Sequence, residues 1–373
     1  MKTQSLLEGY DLSKLTIGVL GSHSALDICL GGKKEGLQTL VVAEKGREKT
    51  YKKYYKVNGN LGCIDDCFVL DKFSDILKVE TQKKLREKNT IFIPHRSFEA
   101  YLNFDYQSIE KKFNVPMFGN RKLLKIEERG QHPNQYDLLS EANIHYPVQF
   151  KKARDINKLS LVKVLEKERG FERAFFLVEN YRDYQEKVAQ KLKAGIFTEA
   201  QLRSAVIEEF VAGVNVNFNF FYSPLKHSLE LLGTDTRRQT NLEGITKIPA
   251  PYQEEVLKNL PVQYEEAGHI AVTVLESLLE PAFDLGERFV RASQKFISPG
   301  IIGPFALQTI VTPGPPKKDI VVIDVSPRVP GSPGISATPY SSYLFGEPVS
   351  VGKRIAREIK EGVRLNRLDD LVS

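Results

Sequence analysis

The chain has 373 residues, 41% of them hydrophobic and 27% charged. That length calls for two or three packed subdomains, and that composition excludes a disordered scaffold. Its 53 basic and 47 acidic side chains leave a net charge of only +6, which suits a small anionic substrate better than nucleic acid. The one segment suggestive of nucleic acid, Lys45 to Lys56 with Tyr51, Tyr54 and Tyr55 interleaved, reads as a solvated face. No run approaches the roughly 20 apolar residues of a membrane span, and the opening MKTQSLLEGYDLSKL lacks a leader pattern. The expected location is therefore the cytoplasm, with no membrane partner. Cys29, Cys63 and Cys67 form an odd set without a CxxC pair, so neither a disulfide framework nor a zinc site is expected.

The first segment alternates strand and helix patterns. Thr16 to Leu20 and Thr39 to Ala43 are short apolar runs flanking a helical stretch from Ser24 to Glu35. Thr90 to Ile93 is a further strand, and a helical pattern runs from Lys122 to Ala142. Alternation of this kind predicts a parallel α/β subdomain. Leu159 to Leu165 and Arg173 to Val178 read as a hairpin, followed by a helix from Tyr181 to Leu192, the pattern of a small lid. Beyond Val206 the strand runs lengthen: Val214 to Tyr222 alternates as VNVNFNFFY, then come Ser228 to Thr234 and Ile245 to Pro249. Ala282 to Phe296 has a helical period, and Phe305 to Val311 and Asp319 to Val325 flank the turn-forming TPGPPKKD. An antiparallel sheet is predicted here.

Three constellations carry chemistry. Gly21, Ser22, His23 and Ser24 follow the first strand where it feeds a helix, a place where backbone N–H groups and hydroxyls meet an anion. Helix capping by Ser22 or Ser24 is the plainer alternative. His23 at a strand's C-terminal end faces the crevice where open α/β sheets bind ligands, and Ser97, beyond the strand ending near His95, belongs to the same rim. Lys163 lies in the apolar strand LSLVKVL, where an ammonium needs a counter-anion such as phosphate or else snorkels to an edge. Glu208 and Glu209 end the strand of VIEEFVAG. Gln308 and Asp324 sit on two strands joined by a turn, as oxygen ligands for Mg²⁺ shared with substrate phosphates. In DVSPR, Arg328 follows Asp324 at the right spacing to bind an oxyanion beside the metal.

Taken in order, these segments resemble the ATP-grasp superfamily. LGSHSAL, FGNRKLL, VNFNFFYSPL, TNLEGI, SPGIIGPFALQ and LFGEPVSVGKRIAREI resemble, more specifically, the archaeal 5-formaminoimidazole-4-carboxamide ribonucleotide (FAICAR) synthetases, over nearly the whole chain from about Leu15. The resemblance implies an α/β fold that becomes α+β toward its C-terminal part. Residues 1–125 would form a Rossmann-like substrate-binding domain, 126–205 the hairpin lid, and 206–373 an antiparallel subdomain with the metal site. It implies ligation of formate to the 5-amino group of aminoimidazole carboxamide ribonucleotide (AICAR), with ATP cleaved to ADP and phosphate through formyl phosphate.

By the same resemblance Gly21, Ser22, His23, Ser24, Ser97 and His269 contact the ribonucleotide. Lys163, Glu208, Glu209, the Val211 backbone and Gln239 surround ATP, Gln308 and Asp324 hold Mg²⁺ or Mn²⁺, and Arg328 steadies a reacting oxyanion. A homo-oligomer, trimeric or hexameric, is also implied. The chain departs from the family pattern where Glu is expected at Asp324 and at Gln239, and Asn at His269, and the loop after Arg328 is more proline-rich. These departures fall on acceptor and metal positions. They leave two alternatives beside the formate ligase: an ATP-grasp paralogue with a different amine or acid, and a nucleotide-binding homologue without turnover.

Overall fold

A computed structural model describes residues 6–163, 175–240, 242–260, 264–314 and 317–373, with backbone alone at 238–240 and 264–266. Strands β1 (Thr16–Leu20), β2 (Gln38–Glu44), β3 (Asp66–Leu70) and β4 (Thr90–Ile93) form a parallel sheet in the order β3-β2-β1-β4. The predicted parallel subdomain is thus present, with β3 as a strand the apolar pattern did not reveal. β1 is buried along its whole length, as expected of a parallel strand covered on both faces.

The lid sheet contains β5 (Gln149–Phe150), β6 (Ser160–Lys163), β7 (Phe175–Val178) and β8 (Val206–Glu209), in the order β5-β8-β6-β7. β6 and β7 pair antiparallel, as the hairpin reading requires. β8 pairs with β5 and β6, so the lid sheet extends past the expected boundary at 206. The connecting segment, residues 164–174, lies outside the described residues. The helix Tyr181–Lys193 covers this sheet, with Val162, Phe176, Val178 and Ile207 in a small core of their own.

The third sheet holds β9 (Val214–Ser223), β10 (Ser228–Thr240), β11 (Tyr264–Ala271), β12 (Gly303–Thr312) and β13 (Asp319–Ser326), ordered β11-β10-β9-β12-β13 and antiparallel throughout. Phe218, Phe220 and Phe305 pack beneath it against the helix Leu279–Phe296 through Phe289. Each such buried side chain contributes about 2–3 kcal/mol. The expected strand from Ile245 to Pro249 is absent. The helix Leu242–Ile245 ends there and Ala250–Asn259 starts a new one, because the prolines at 249 and 251 suit a helix start rather than a ladder. The helical stretch predicted from Lys122 divides into a 3₁₀ turn Arg121–Glu127 and a helix Gln135–Glu141.

The first and third sheets share a core in which Ile17, Val19 and Val41 join Phe221, Leu232 and Val329. The C-terminal helix Val351–Arg364 clamps them together. Its backbone N–H at Gly352 donates to Asp27 (3.0 Å), and buried Arg354 pairs with Glu230 (2.6 Å) beneath it. Among the described residues no helix is long and apolar enough to cross a membrane.

Candidate functional site

The VNVNFNFFY alternation builds the floor of the site. Val216, Phe218 and Phe220 point into the core, so Asn215, Asn217 and Asn219 line the opposite face. Backbone register carries that polar face across the sheet. Asp235 of β10 lies beside Asn217 on one side, Gln308 of β12 on the other, and Asp324 of β13 beside Gln308.

One end of this row is a polar cluster around a buried carboxylate. Asp235 is 1% exposed and accepts from Asn219 (2.7 Å), Asn217 (3.0 Å) and His269 Nδ1 (2.5 Å). Burial opposes ionisation, but the hydrogen bonds from His269 and Asn219 win and hold the carboxyl below its usual range. Ser332 Oγ stands 2.8 Å from the same His269 nitrogen.

The Gly21–Ser24 loop closes the cluster from the parallel sheet. Ser24 precedes the helix Ala25–Lys34 but makes no side-chain cap; its hydroxyl donates to the Pro330 carbonyl (3.1 Å). Ser97 Oγ donates to Ser22 Oγ (3.0 Å), and His23 holds φ of 46° with its ring 6.0 Å from that of His95. His95 itself is fully buried, with Nε2 donating to the Leu20 carbonyl (2.9 Å). Burial lowers its pKa to about 4, so it stays neutral. Gly21 is required by packing: a β-carbon there would meet Tyr51 at 2.7 Å. The aromatic–basic run thus contributes a buried core ring, Tyr51.

The other end of the row is a chain of ion pairs. Lys163 on β6 pairs with Glu208 on β8. The Tyr136 hydroxyl donates to Glu208 (2.9 Å) and accepts from Arg129 Nε (3.1 Å), while Arg129 Nη2 reaches Asp324 (2.9 Å). Burial lowers the Lys163 pKa against the pull of Glu208. The counter-anion its apolar strand demands is therefore Glu208. Glu209 turns the other way, toward Lys158 (3.4 Å) and the Val148 N–H (3.3 Å). Val211 lies half-buried in the link between lid and third sheet. The side chain of Gln239 falls outside the described residues.

Arg328 sits between the two ends, buried, its Nη2 on both oxygens of Glu127 (3.0 and 2.9 Å) and its Nε on Glu99 (3.2 Å). Burial pushes the Glu127 carboxyl up to about 7 against the attraction of Arg328 and Arg96. Gln308 and Asp324 are the candidate metal pair, and among the described residues no group of three or more His, Cys, Asp or Glu is placed to hold an ion. Two adjacent oxygen donors fit Mg²⁺, which retains water and shares phosphate oxygens.

The structure brings Ser22, His23, Ser24, Ser97 and His269 into one neighbourhood, and Lys163, Glu208 and Asp324 into one network. Asp235, Arg129, Tyr136, Glu99 and Glu127 escaped sequence reasoning. Only the Asn alternation along β9 signalled that a polar face was being built.

Comparison with known proteins adds the lineage. A family model described as a domain of unknown function (DUF1297) matches residues 183–373, and one described as a protein of unknown function (DUF1246) matches 17–150. The 5-formaminoimidazole-4-carboxamide-1-(beta)-D-ribofuranosyl 5'-monophosphate synthetase of Methanocaldococcus jannaschii is 38% identical over 99% of this chain and 98% of its own. The protein of the same name from Methanosphaera stadtmanae is 37% identical over 99% and 97%. A crystal structure of an IMP biosynthesis protein PurP from Thermococcus kodakaraensis superposes with a TM-score of 0.70 at 29% identity, covering 96% of this chain and all of that one. The N5-carboxyaminoimidazole ribonucleotide synthetase of Thermotoga maritima, at 15% identity and a TM-score of 0.55 over 93% of this chain and 76% of that one, shares the fold alone. With full-length identity at this level, the chain belongs to the FAICAR synthetase family and has the ATP-grasp fold.

Proposed function

We propose that the protein is a carbon–nitrogen ligase that joins formate to the 5-amino group of AICAR, cleaving ATP to ADP and phosphate, in cytoplasmic purine biosynthesis. The observation that carries this reading is full-length similarity at 37–38% identity to synthetases named for that product. What supports it further is that the polar row from Asp235 to Asp324 on the third sheet joins His269 at one end and the Arg129–Glu208–Lys163 ion pairs at the other.

In this reading the Gly21–Ser24 loop and Ser97 receive the ribonucleotide phosphate, with His23 and His269 over its acceptor end. Lys163 leaves Glu208 for the ATP phosphates, and Glu208, Glu209, the Val211 backbone and Gln239 flank the nucleotide. Gln308 and Asp324 would hold Mg²⁺ or Mn²⁺, which neutralises charge on the phosphates. Arg328 faces the oxyanion of the reacting formyl group, oriented by Glu99 and Glu127. The lid keeps water from formyl phosphate. Assembly into a trimer or hexamer belongs to the same reading.

The test is incubation of purified protein with AICAR, formate, ATP and Mg²⁺. FAICAR formation matched by ADP release is expected; ADP at background with all four present overturns the assignment.

A further inference from the structure

We propose that Arg129 is a stand-in cation for the metal site: its guanidinium holds Asp324 until metal arrives, then passes by way of Tyr136 to the Glu208 carboxylate that Lys163 has left. This rests on the reading above that Gln308 and Asp324 are the metal pair. Arg129 comes from the link between the 3₁₀ turn Arg121–Glu127 and the helix Gln135–Glu141. Its side chain is 12% exposed, and Nη2 lies 2.9 Å from Asp324 Oδ1. Asp324 neighbours Gln308 in the strand register, so the guanidinium already takes up an oxygen of the carboxylate assigned to the metal.

Four charges and one hydroxyl make the device. Lys163 pairs with Glu208 and Arg129 with Asp324. Tyr136 Oη joins the two pairs, donating to Glu208 (2.9 Å) while accepting from Arg129 Nε (3.1 Å). Glu208 is 2% exposed, and a carboxylate buried to that degree is strongly destabilised when its cation leaves and nothing replaces it.

Each ligand alone therefore meets resistance. Phosphate drawing off Lys163 strands Glu208, and a divalent ion at Asp324 repels a guanidinium whose other carboxylate is still taken. Together the two losses cancel. Arg129, released from Asp324, is one hydroxyl away from the carboxylate that Lys163 vacates, so each ligand prepares the protein for the other. This coupling is carried by the chain itself, in addition to any contact between metal and phosphate.

The probe is Mn²⁺, followed by electron paramagnetic resonance with nucleotide-free protein. Arg129→Met removes the competing cation, so Mn²⁺ should bind about tenfold tighter than to wild type, and Asp324→Asn in the same chain should abolish that gain. Tyr136→Phe keeps every charge in place and cuts only the bridge. Mn²⁺ alone should bind it within about twofold of wild type, while the tightening produced by a non-hydrolysable ATP analogue should shrink about fivefold. Mn²⁺ affinity equal to wild type in Arg129→Met, or undiminished tightening in Tyr136→Phe, overturns the stand-in role and leaves the ligase reading intact. A wild type that takes up no Mn²⁺ even beside the analogue, or a gain in Arg129→Met that survives Asp324→Asn, overturns the metal pair and this inference with it.

Discussion

The two ends of the polar sheet face are built on different principles. At the acceptor end one carboxylate, Asp235, is satisfied by two amides and an imidazole, and serine hydroxyls and backbone carbonyls complete the pocket. At the phosphate end every charge already has an opposite charge, Lys163 on Glu208 and Arg129 on Asp324. The first arrangement is in place before ligand arrives. The second would have to exchange partners under the proposed function, since Lys163 and Asp324 are both engaged with their neighbours. Under the proposed function, acceptor specificity would rest on the prearranged cluster and nucleotide binding on ion-pair exchange.

The largest effect should come from Lys163→Ala, which removes a cation from the phosphate end. Turnover should fall about 100- to 1,000-fold, by analogy with loss of one preorganised charge-stabilising group. AICAR affinity measured by titration should stay within about twofold; an equal loss of ribonucleotide affinity would erase the distinction between the two ends.

Arg129→Met tests the same end through stability. It strands Asp324 without its cation and removes a donor to Tyr136, so unfolding should become easier by about 3 kcal/mol. The double variant Arg129→Met with Asp324→Asn should recover part of that loss, read from chemical denaturation. Strict additivity would mean that the two residues do not interact.

His95 provides a pH test between the sheets. Burial holds its folded pKa at about 4, below the ordinary imidazole value of 6.5, so the unfolded chain binds the extra proton. Its contribution is therefore complete above pH 6.5 and is lost as pH falls toward 4, by an amount of order 3 kcal/mol. Wild type should lose that much more stability than His95→Gln across this window. Parallel melting curves for the two proteins would show that His95 is protonated in the fold.

Gly331→Ala is the mildest and most local probe. The added methyl would stand 2.3 Å from His23 Cε1 and so displace that ring, and should weaken AICAR binding about tenfold, or 1.4 kcal/mol, with ATP-analogue affinity unmoved. Equal weakening of both ligands would mean that His23 does not serve the acceptor in particular.

Most of the framework was legible because apolar patterns report burial: a continuous run in β1, period 2 in β9 and period 3.6 in the helix Leu279–Phe296. β3 was missed because its residues are only half-buried and lack alternation. Ile245 to Pro249 misled because an apolar run bounded by proline looks alike in a strand and at a helix junction. Sequence motifs located His23, Ser97 and Lys163, but no local pattern could join Arg129 to Asp324, 195 residues apart in the chain. The same holds for Asp235 and His269, which meet only because β10 and β11 pair in one register. Partners supplied by strand register are invisible until the sheet order is known.

The most direct test of the contrast between the two ends is isothermal titration with AICAR, alone and with a non-hydrolysable ATP analogue and Mg²⁺. A prearranged acceptor pocket predicts that AICAR binds without nucleotide, with a Kd within about threefold of that measured beside the analogue. Binding of AICAR only after the analogue, or no AICAR binding to protein that still takes up the analogue, would contradict it.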